Sequence, residues 1–260
     1  MRLSILLAAT TLAACTSSSN SASSVDSGAP SDSGLVAQDA GVDAGGPPYL
    51  PAGYTLTPFL TDTATTHTFT KANQVIDPTK SYVAILETTA GRIVWQFSST
   101  DAPIATNSFV FLTLNHYFDG IAFHRVIDNF VAQGGDPNTL TKPQSTWGTG
   151  GPGYGFDNEI IDGGTTPDGG AIFTGVPNFD DAAGGIVAMA NTGQPKSNGS
   201  QFFITFGAQP FLDGGYTIFG KVIEGMDVLP QIIRGEPPAS VSNPGYPTRI
   251  TEAHIGEKPL

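Results

Sequence analysis

Two β-rich runs, Tyr82-Val83-Ala84-Ile85-Leu86-Glu87 and Arg92-Ile93-Val94-Trp95-Gln96-Phe97, flank the turn-forming Thr89-Ala90-Gly91. β-Branched and aromatic side chains at this density suit a pleated surface, and a short glycine-bearing turn between two such runs makes a hairpin. The hairpin commits this part of the chain to a sheet. Further strands are expected at 185–190, 202–205, 217–221 and 249–254. A helix should follow the hairpin, with Thr100 or Asp101 as its cap, Pro103 near its first turn and Phe109, Val110, Leu112 and Leu114 as its apolar stripe. It should end near Tyr117-Phe118-Asp119-Gly120, and a second helix should run from about 226 to 233, before Gly235 and Pro237. Hairpins, two helices and a C-terminal strand fit a barrel with helices over its open ends, since closure leaves no unpaired edge.

The strand-forming region occupies only part of the 260 residues. At the N-terminus, Arg2 precedes an apolar run from Leu3 to Ala9 and then Leu12-Ala13-Ala14-Cys15, the layout of a secretory signal too short to span a bilayer. Leu-Ala-Ala-Cys resembles the bacterial lipobox, so residues 1–14 are expected to be removed and Cys15, the only cysteine, to carry the lipid. Thr16 after it favours the outer membrane of a bacterial envelope by the same analogy. From Thr16 to about Pro48 the chain is rich in Ser, Ala, Gly and Asp, which cannot bury enough apolar surface to offset ordering entropy. Residues 15–48 therefore read as a disordered tether. Residues 49–80 read as an extension partly packed on the domain, because Tyr54, Phe59, Leu60 and Phe69 are costly to expose. The domain itself spans 81–258. A net charge of −12 with 11 Lys and Arg excludes a nucleic-acid partner and offers nothing to anionic lipid.

The remaining landmark is Phe123-His124-Arg125-Val126-Ile127-Asp128-Asn129-Phe130-Val131-Ala132-Gln133-Gly134-Gly135-Asp136. Its arginine either snorkels out of a core or stands at the floor of an apolar pocket, where its fork of donors can grip a carbonyl. Periodicity leaves helix and strand both open, because Phe123, Val126, Ile127, Phe130 and Val131 fit helical spacing while Ile121, Phe123 and Arg125 alternate. Downstream come Met189-Ala190-Asn191-Thr192-Gly193, Asn198-Gly199-Ser200-Gln201-Phe202-Phe203-Ile204-Thr205, Phe211-Leu212-Asp213-Gly214 and Phe219-Gly220-Lys221-Val222. Together, in this order from about Ser81 to Ile255, these motifs resemble the cyclophilins.

That resemblance implies a mainly β fold, a closed eight-stranded antiparallel barrel capped by two α-helices, and peptidyl-prolyl cis-trans isomerase activity as a monomer on Xaa-Pro segments. It implies catalytic roles for Arg125, Gln133 and Asn191, with Gln133 orienting Arg125 and Asn191 holding substrate backbone. Phe130, Val131, Phe203 and Leu212 would form the proline pocket, and Ala190, Thr192, Gln201, Phe211 and Tyr216 would line the groove. Phe211 stands where many eukaryotic members have tryptophan and Tyr216 where they have histidine. The loop Gln194-Pro195-Lys196-Ser197 is one residue longer than usual, and the Gly/Asp/Pro-rich stretch 156–184 exceeds the compact form of the family.

The residues agree with that chemistry. Turning an Xaa-Pro bond breaks nothing but amide resonance, a barrier of roughly 18–20 kcal/mol, so neither nucleophile nor metal is required. No cofactor or metal is expected: the four histidines lack ligand spacing, the carboxylates of 156–184 match no calcium loop, and neither a G-x-S-x-G elbow nor a phosphate loop is present. Two other readings stand beside the enzyme: a proline-peptide binding or chaperone-like module with incidental turnover, and a structural envelope lipoprotein.

Overall fold

The expected hairpin forms the middle of the sheet. The computed structural model describes residues 49–64, 66–160, 177–236 and 245–260. The expected signal segment, Cys15 and the tether lie outside the described residues, as does most of the long stretch before Pro177. Strand β1 is Thr55–Leu56, β2 is Lys80–Thr88 and β3 is Gly91–Phe97. The β2–β3 turn is closed by Thr88 Oγ1, which donates to Gly91 O (2.6 Å) and accepts from Ala90 N (3.1 Å). Gly91 is required there: its φ is +130°, and a Cβ would lie 2.9 Å from Val228. β2 is an unbroken buried run because both its faces are covered. Tyr82, Ala84 and Leu86 enter the main core, while Val83 and Ile85 pack with Val94 under Leu50 and Tyr54 of the extension.

The helix α1 is Pro103–Leu114. Its cap position is Ala102, which makes no side-chain cap bond; neither Thr100 nor Asp101 fills that role. The free N–H groups of Ile104 and Ala105 instead donate to Glu159 Oε1 (2.9 Å) and Oε2 (2.8 Å), a carboxylate delivered from a distant loop. The helix is buried from Ala105 to Leu114. Phe109 stacks on Phe118 at 4.3 Å and meets Trp95 edge-on at 5.0 Å, while Asn107 Oδ1 on another face accepts from Val75 N and Ile76 N. The extension thus covers the polar positions that a barrel core could not accept.

Two short strands, β4 (Arg125–Val126) and β5 (Val131–Gly134), resolve the helix-or-strand ambiguity of the central stretch in favour of a strand pair, turned at Asn129 with φ 56°. After them come a single helical turn α2 (Asn138–Thr141), β6 (Ile186–Met189), β7 (Phe202–Thr205), β8 (Ile218–Glu224) and β9 (Ile250–Pro259). The antiparallel order is β1-β9-β2-β3-β8-β6-β7-β5-β4. The mainly β expectation holds, but the hydrogen-bonded order of the strands is open, not a closed ring of eight. Between β9 and the chain leading into β4 there is an isolated bridge, Ala122 to Arg249, flanked by Phe123 N to Thr248 O (2.9 Å) and Ile250 N to Ile121 O (2.9 Å). Nor is there a second capping α-helix at 226–233. That segment holds only a 3-10 turn, Leu229–Gln231, because Pro230 has no N–H to give to the ladder of an α-helix.

The extension supplies β1, paired with the end of β9. Phe59 lies against His116, tilted by 32° with ring centres 3.8 Å apart, and Phe69 meets Phe111 edge-on at 5.1 Å. Leu60 stays half exposed, although its N–H donates to Leu114 O at 2.8 Å.

Candidate active site

The sheet has two apolar faces, and strand alternation sorts the central residues between them. Val126, Ala132, Phe202, Ile204 and Val187 point into the main core. Their neighbours Val131, Phe203, Ala188 and Ile186 point the other way, into a second cluster with Leu212 and Phe179. Cross-strand register places Arg125 opposite Gln133, Gln133 opposite Phe203 and Phe203 opposite Ala188, one row across four strands on that second face.

A cavity of about 210 Å³ opens on this face, lined by Arg125, Phe130, Val131, Gln133, Ala190, Asn191, Phe203, Leu212 and Tyr216. These residues come from β4, β5, β7 and three loops. Among the described residues, Arg125 is the only charged side chain in the lining. Beside it lies a groove of about 700 Å³ that shares Gln133, Ala190 and Asn191 and adds Thr192 and Gln201. Phe211 lines neither; it stands on the rim, 72% exposed, with its ring 5.8 Å from that of Phe130.

The walls are fixed from behind. Phe203 stacks on fully buried Phe179 at 6.0 Å and meets Tyr216 edge-on at 5.3 Å. The loop carrying Phe130 is held by Phe206 N to Phe130 O (2.9 Å) and Gln209 Nε2 to Asn129 O (2.8 Å). Asn191 Nδ2 donates to Gly215 O (3.0 Å) and Asn158 Oδ1 (3.2 Å), while its Oδ1 accepts from Gly193 N (2.9 Å). Gln133 Nε2 donates to Gln201 Oε1 (3.0 Å), and Gln201 Nε2 passes the bond on to Gly150 O (2.8 Å).

Arg125 Nε donates to Glu236 Oε1 at 2.7 Å, and the guanidinium lies 5.6 Å from the Phe130 ring centre. Arg125 is thus ion-paired with Glu236, while Gln133, opposite it across the strands, gives an amide N–H to Gln201. Sequence reading missed Glu236 and Phe179. Glu236 arrives because Gly235 bridges to Val126, with backbone bonds of 2.8 and 3.0 Å, so a separation of 111 residues hid the pair. His124 is buried behind the groove wall near Gly148, and burial holds its imidazole below the usual histidine range, partly offset by the Asp136 charge.

A cavity walled by Phe130, Val131, Phe203 and Leu212, with the donors of Arg125, Gln133 and Asn191 at its edge, suits a reaction that reshapes an amide without cleaving it. Residues 82–255 match the family model described as cyclophilin type peptidyl-prolyl cis-trans isomerase/CLD. This chain belongs to the cyclophilin family. It is 37% identical over 170 residues to a peptidyl-prolyl cis-trans isomerase of Schizosaccharomyces pombe, covering 65% of this chain and 95% of the relative. It is 39% identical over 145 residues to peptidyl-prolyl cis-trans isomerase-like 1 of Gibberella zeae, covering 56% of this chain and 77% of the relative. Among solved structures, a cyclophilin type peptidyl-prolyl cis-trans isomerase of Cryptosporidium parvum superposes with a TM-score of 0.53 at 30% identity, covering 67% of this chain and 97% of that one. The cyclophilin described here is accordingly a peptidyl-prolyl cis-trans isomerase. The matched region begins two residues into β2 and ends within β9, so β1 and the extension lie outside it.

Proposed function

We propose that this cyclophilin binds the proline ring of its substrate in the cavity between Phe130, Val131, Phe203 and Leu212, and that Arg125 lowers the barrier to rotation. As the amide twists, resonance is lost and the proline nitrogen regains its lone pair. Glu236 occupies the Nε–H of Arg125, which leaves the terminal amino groups of the fork to meet the carbonyl and that nitrogen. The donor is already held before substrate arrives, so little reorganisation is needed in the transition state. Asn191 and Gln201 then face the substrate backbone in the adjoining groove. The observation that carries this reading is that Arg125 is, among the described residues, the one charge in the lining of a cavity walled by Phe130, Val131, Phe203 and Leu212. A similar cyclophilin, that of Cryptosporidium parvum, has also been solved in the presence of the dipeptide Ala-Pro, at a TM-score of 0.52 and 30% identity.

The location is part of the proposal. Leu12-Ala13-Ala14-Cys15 supports a lipid anchor at Cys15, and the tether after it would let the isomerase reach Xaa-Pro bonds in unfolded or loop segments of envelope proteins.

The test is an Xaa-Pro peptide assay by NMR exchange. Arg125→Ala should lower kcat/KM by roughly 10²–10³-fold, the scale of losing one preorganised donor, with the sheet intact. Wild-type turnover in the folded variant would show that Arg125 is not the donor that lowers the barrier.

A further inference from the structure

The groove beside the cavity has a wall that cannot hold its own shape. Residues 148–155 read Gly-Thr-Gly-Gly-Pro-Gly-Tyr-Gly, and the five glycines bring backbone freedom without side chains to pack. Ties from the shared fold hold its two ends. Gly148 N donates to the Asp136 carboxylate, Gly150 O accepts from Gln201, and the Tyr154 hydroxyl bonds Ser108 Oγ at 2.7 Å. The middle is held from outside the family region: Phe69 N donates to Pro152 O at 2.6 Å. At Gly153, with φ +90°, an added Cβ would lie 2.7 Å from Phe69 O and 2.8 Å from Thr68 Cγ2, so the two backbones are in contact.

Phe69 also reaches the facing wall. Its ring meets Phe111 edge-on at 5.1 Å and lies 6.4 Å from Tyr117, whose hydroxyl bonds Ser200 Oγ at 2.8 Å. Ser200 lines the groove and donates to Gly135 O at 2.7 Å. One residue of the extension therefore braces both walls, its backbone on the glycine-rich side and its ring on the other through Tyr117, while lining neither cavity.

We propose that Phe69 is a positioning residue that sets the width of this groove and so decides how well the enzyme handles peptides long enough to enter it. The proposal rests on the placement of the proline in the neighbouring cavity. A short substrate confined to that cavity should not sense Phe69, whereas a longer one pays in affinity when the glycine-rich wall loosens.

The experiment compares two substrates, a capped Ala-Pro dipeptide and an octapeptide with Ala-Pro at its centre, on the full chain and on Phe69→Ala, Phe69→Leu and Gly153→Ala. In Phe69→Ala, kcat/KM for the octapeptide should fall roughly tenfold through KM, with kcat kept and the dipeptide within about twofold of wild type. Phe69→Leu should recover much of the loss, and Gly153→Ala, which wedges the backbones apart, should reproduce it. An equal fall for both peptides, or no change in a folded variant, overturns the proposal. Should Phe69→Ala fail to fold, the other two variants carry the same comparison. If the wild-type chain binds both peptides and isomerises neither, the catalytic reading falls, and the ratio of dissociation constants then decides the role of Phe69. Binding of neither peptide overturns both.

Discussion

Arg125 and His124 are neighbours in the chain and opposites in environment. The guanidinium lines the cavity, whereas the imidazole is buried, 2% exposed. For Arg125 the argument concerns direction as well as charge. Arg125→Lys keeps the cation but loses the planar fork, so it should recover little of the activity lost in Arg125→Ala; recovery to near wild type in the same exchange assay would show that a point charge is enough. For His124 the argument is linkage. Burial lowers its folded-state pKa below the 6.5 of the unfolded chain, so between those two values only the unfolded chain carries the proton. Folding stability should therefore decline as pH drops below about 6.5 and be complete above it. His124→Gln should flatten that part of the curve, measured as the urea midpoint against pH; an unchanged slope would show that other groups set it. The arginine was visible in the sequence as a charge among apolar residues. Its partner Glu236 was not, because nothing local marks a contact made through a distant backbone bridge.

At the scale of elements, the β2–β3 hairpin and the body of α1 were legible because their signals are local: β-branched density, a turn glycine and a proline in the first helical turn. The helix cap was not. Ala102 has no side chain that can accept, and the two N–H groups are met by Glu159, itself placed by its own N–H to Thr217 Oγ1 at 2.8 Å. Glu159→Ala should therefore behave as the loss of an N-cap, costing about 1–2 kcal/mol in urea unfolding with an unchanged m-value. A loss within error would mean that water replaces the carboxylate at no cost. Desolvation at this site pushes the Glu159 carboxyl above the usual range, against the helix N–H groups that favour its charge. The failed expectation at 226–233 has the opposite cause. Gly235 and Pro237 mark its end, but Pro230 inside the segment permits only a 3-10 turn.

For the whole molecule, the extension is the part that separates this chain from a minimal cyclophilin. It covers the outer face of β2 and β3 through Leu50 and Tyr54, seals a polar face of α1 at Asn107 and reaches the groove at Phe69. The proposed anchor acts at this scale too. Two or more acyl chains hold a protein stably at a bilayer, so Cys15→Ser should release a folded domain from the membrane fraction or leave an uncleaved precursor. A variant that fractionates and migrates like wild type would remove the lipid anchor. By itself the sequence determined the family, through ordered motifs such as Asn198-Gly199-Ser200-Gln201-Phe202-Phe203, and a mainly β architecture, through short runs dense in β-branched and aromatic residues. Only the tertiary structure decided which strands neighbour one another, that their hydrogen-bonded order is open, that Glu236 grips Arg125, that Phe179 backs Phe203 and that Phe69 meets Pro152. The reason is separation along the chain: alternation, turns and caps act over a few residues, whereas these partners come together only when the sheet has formed between them.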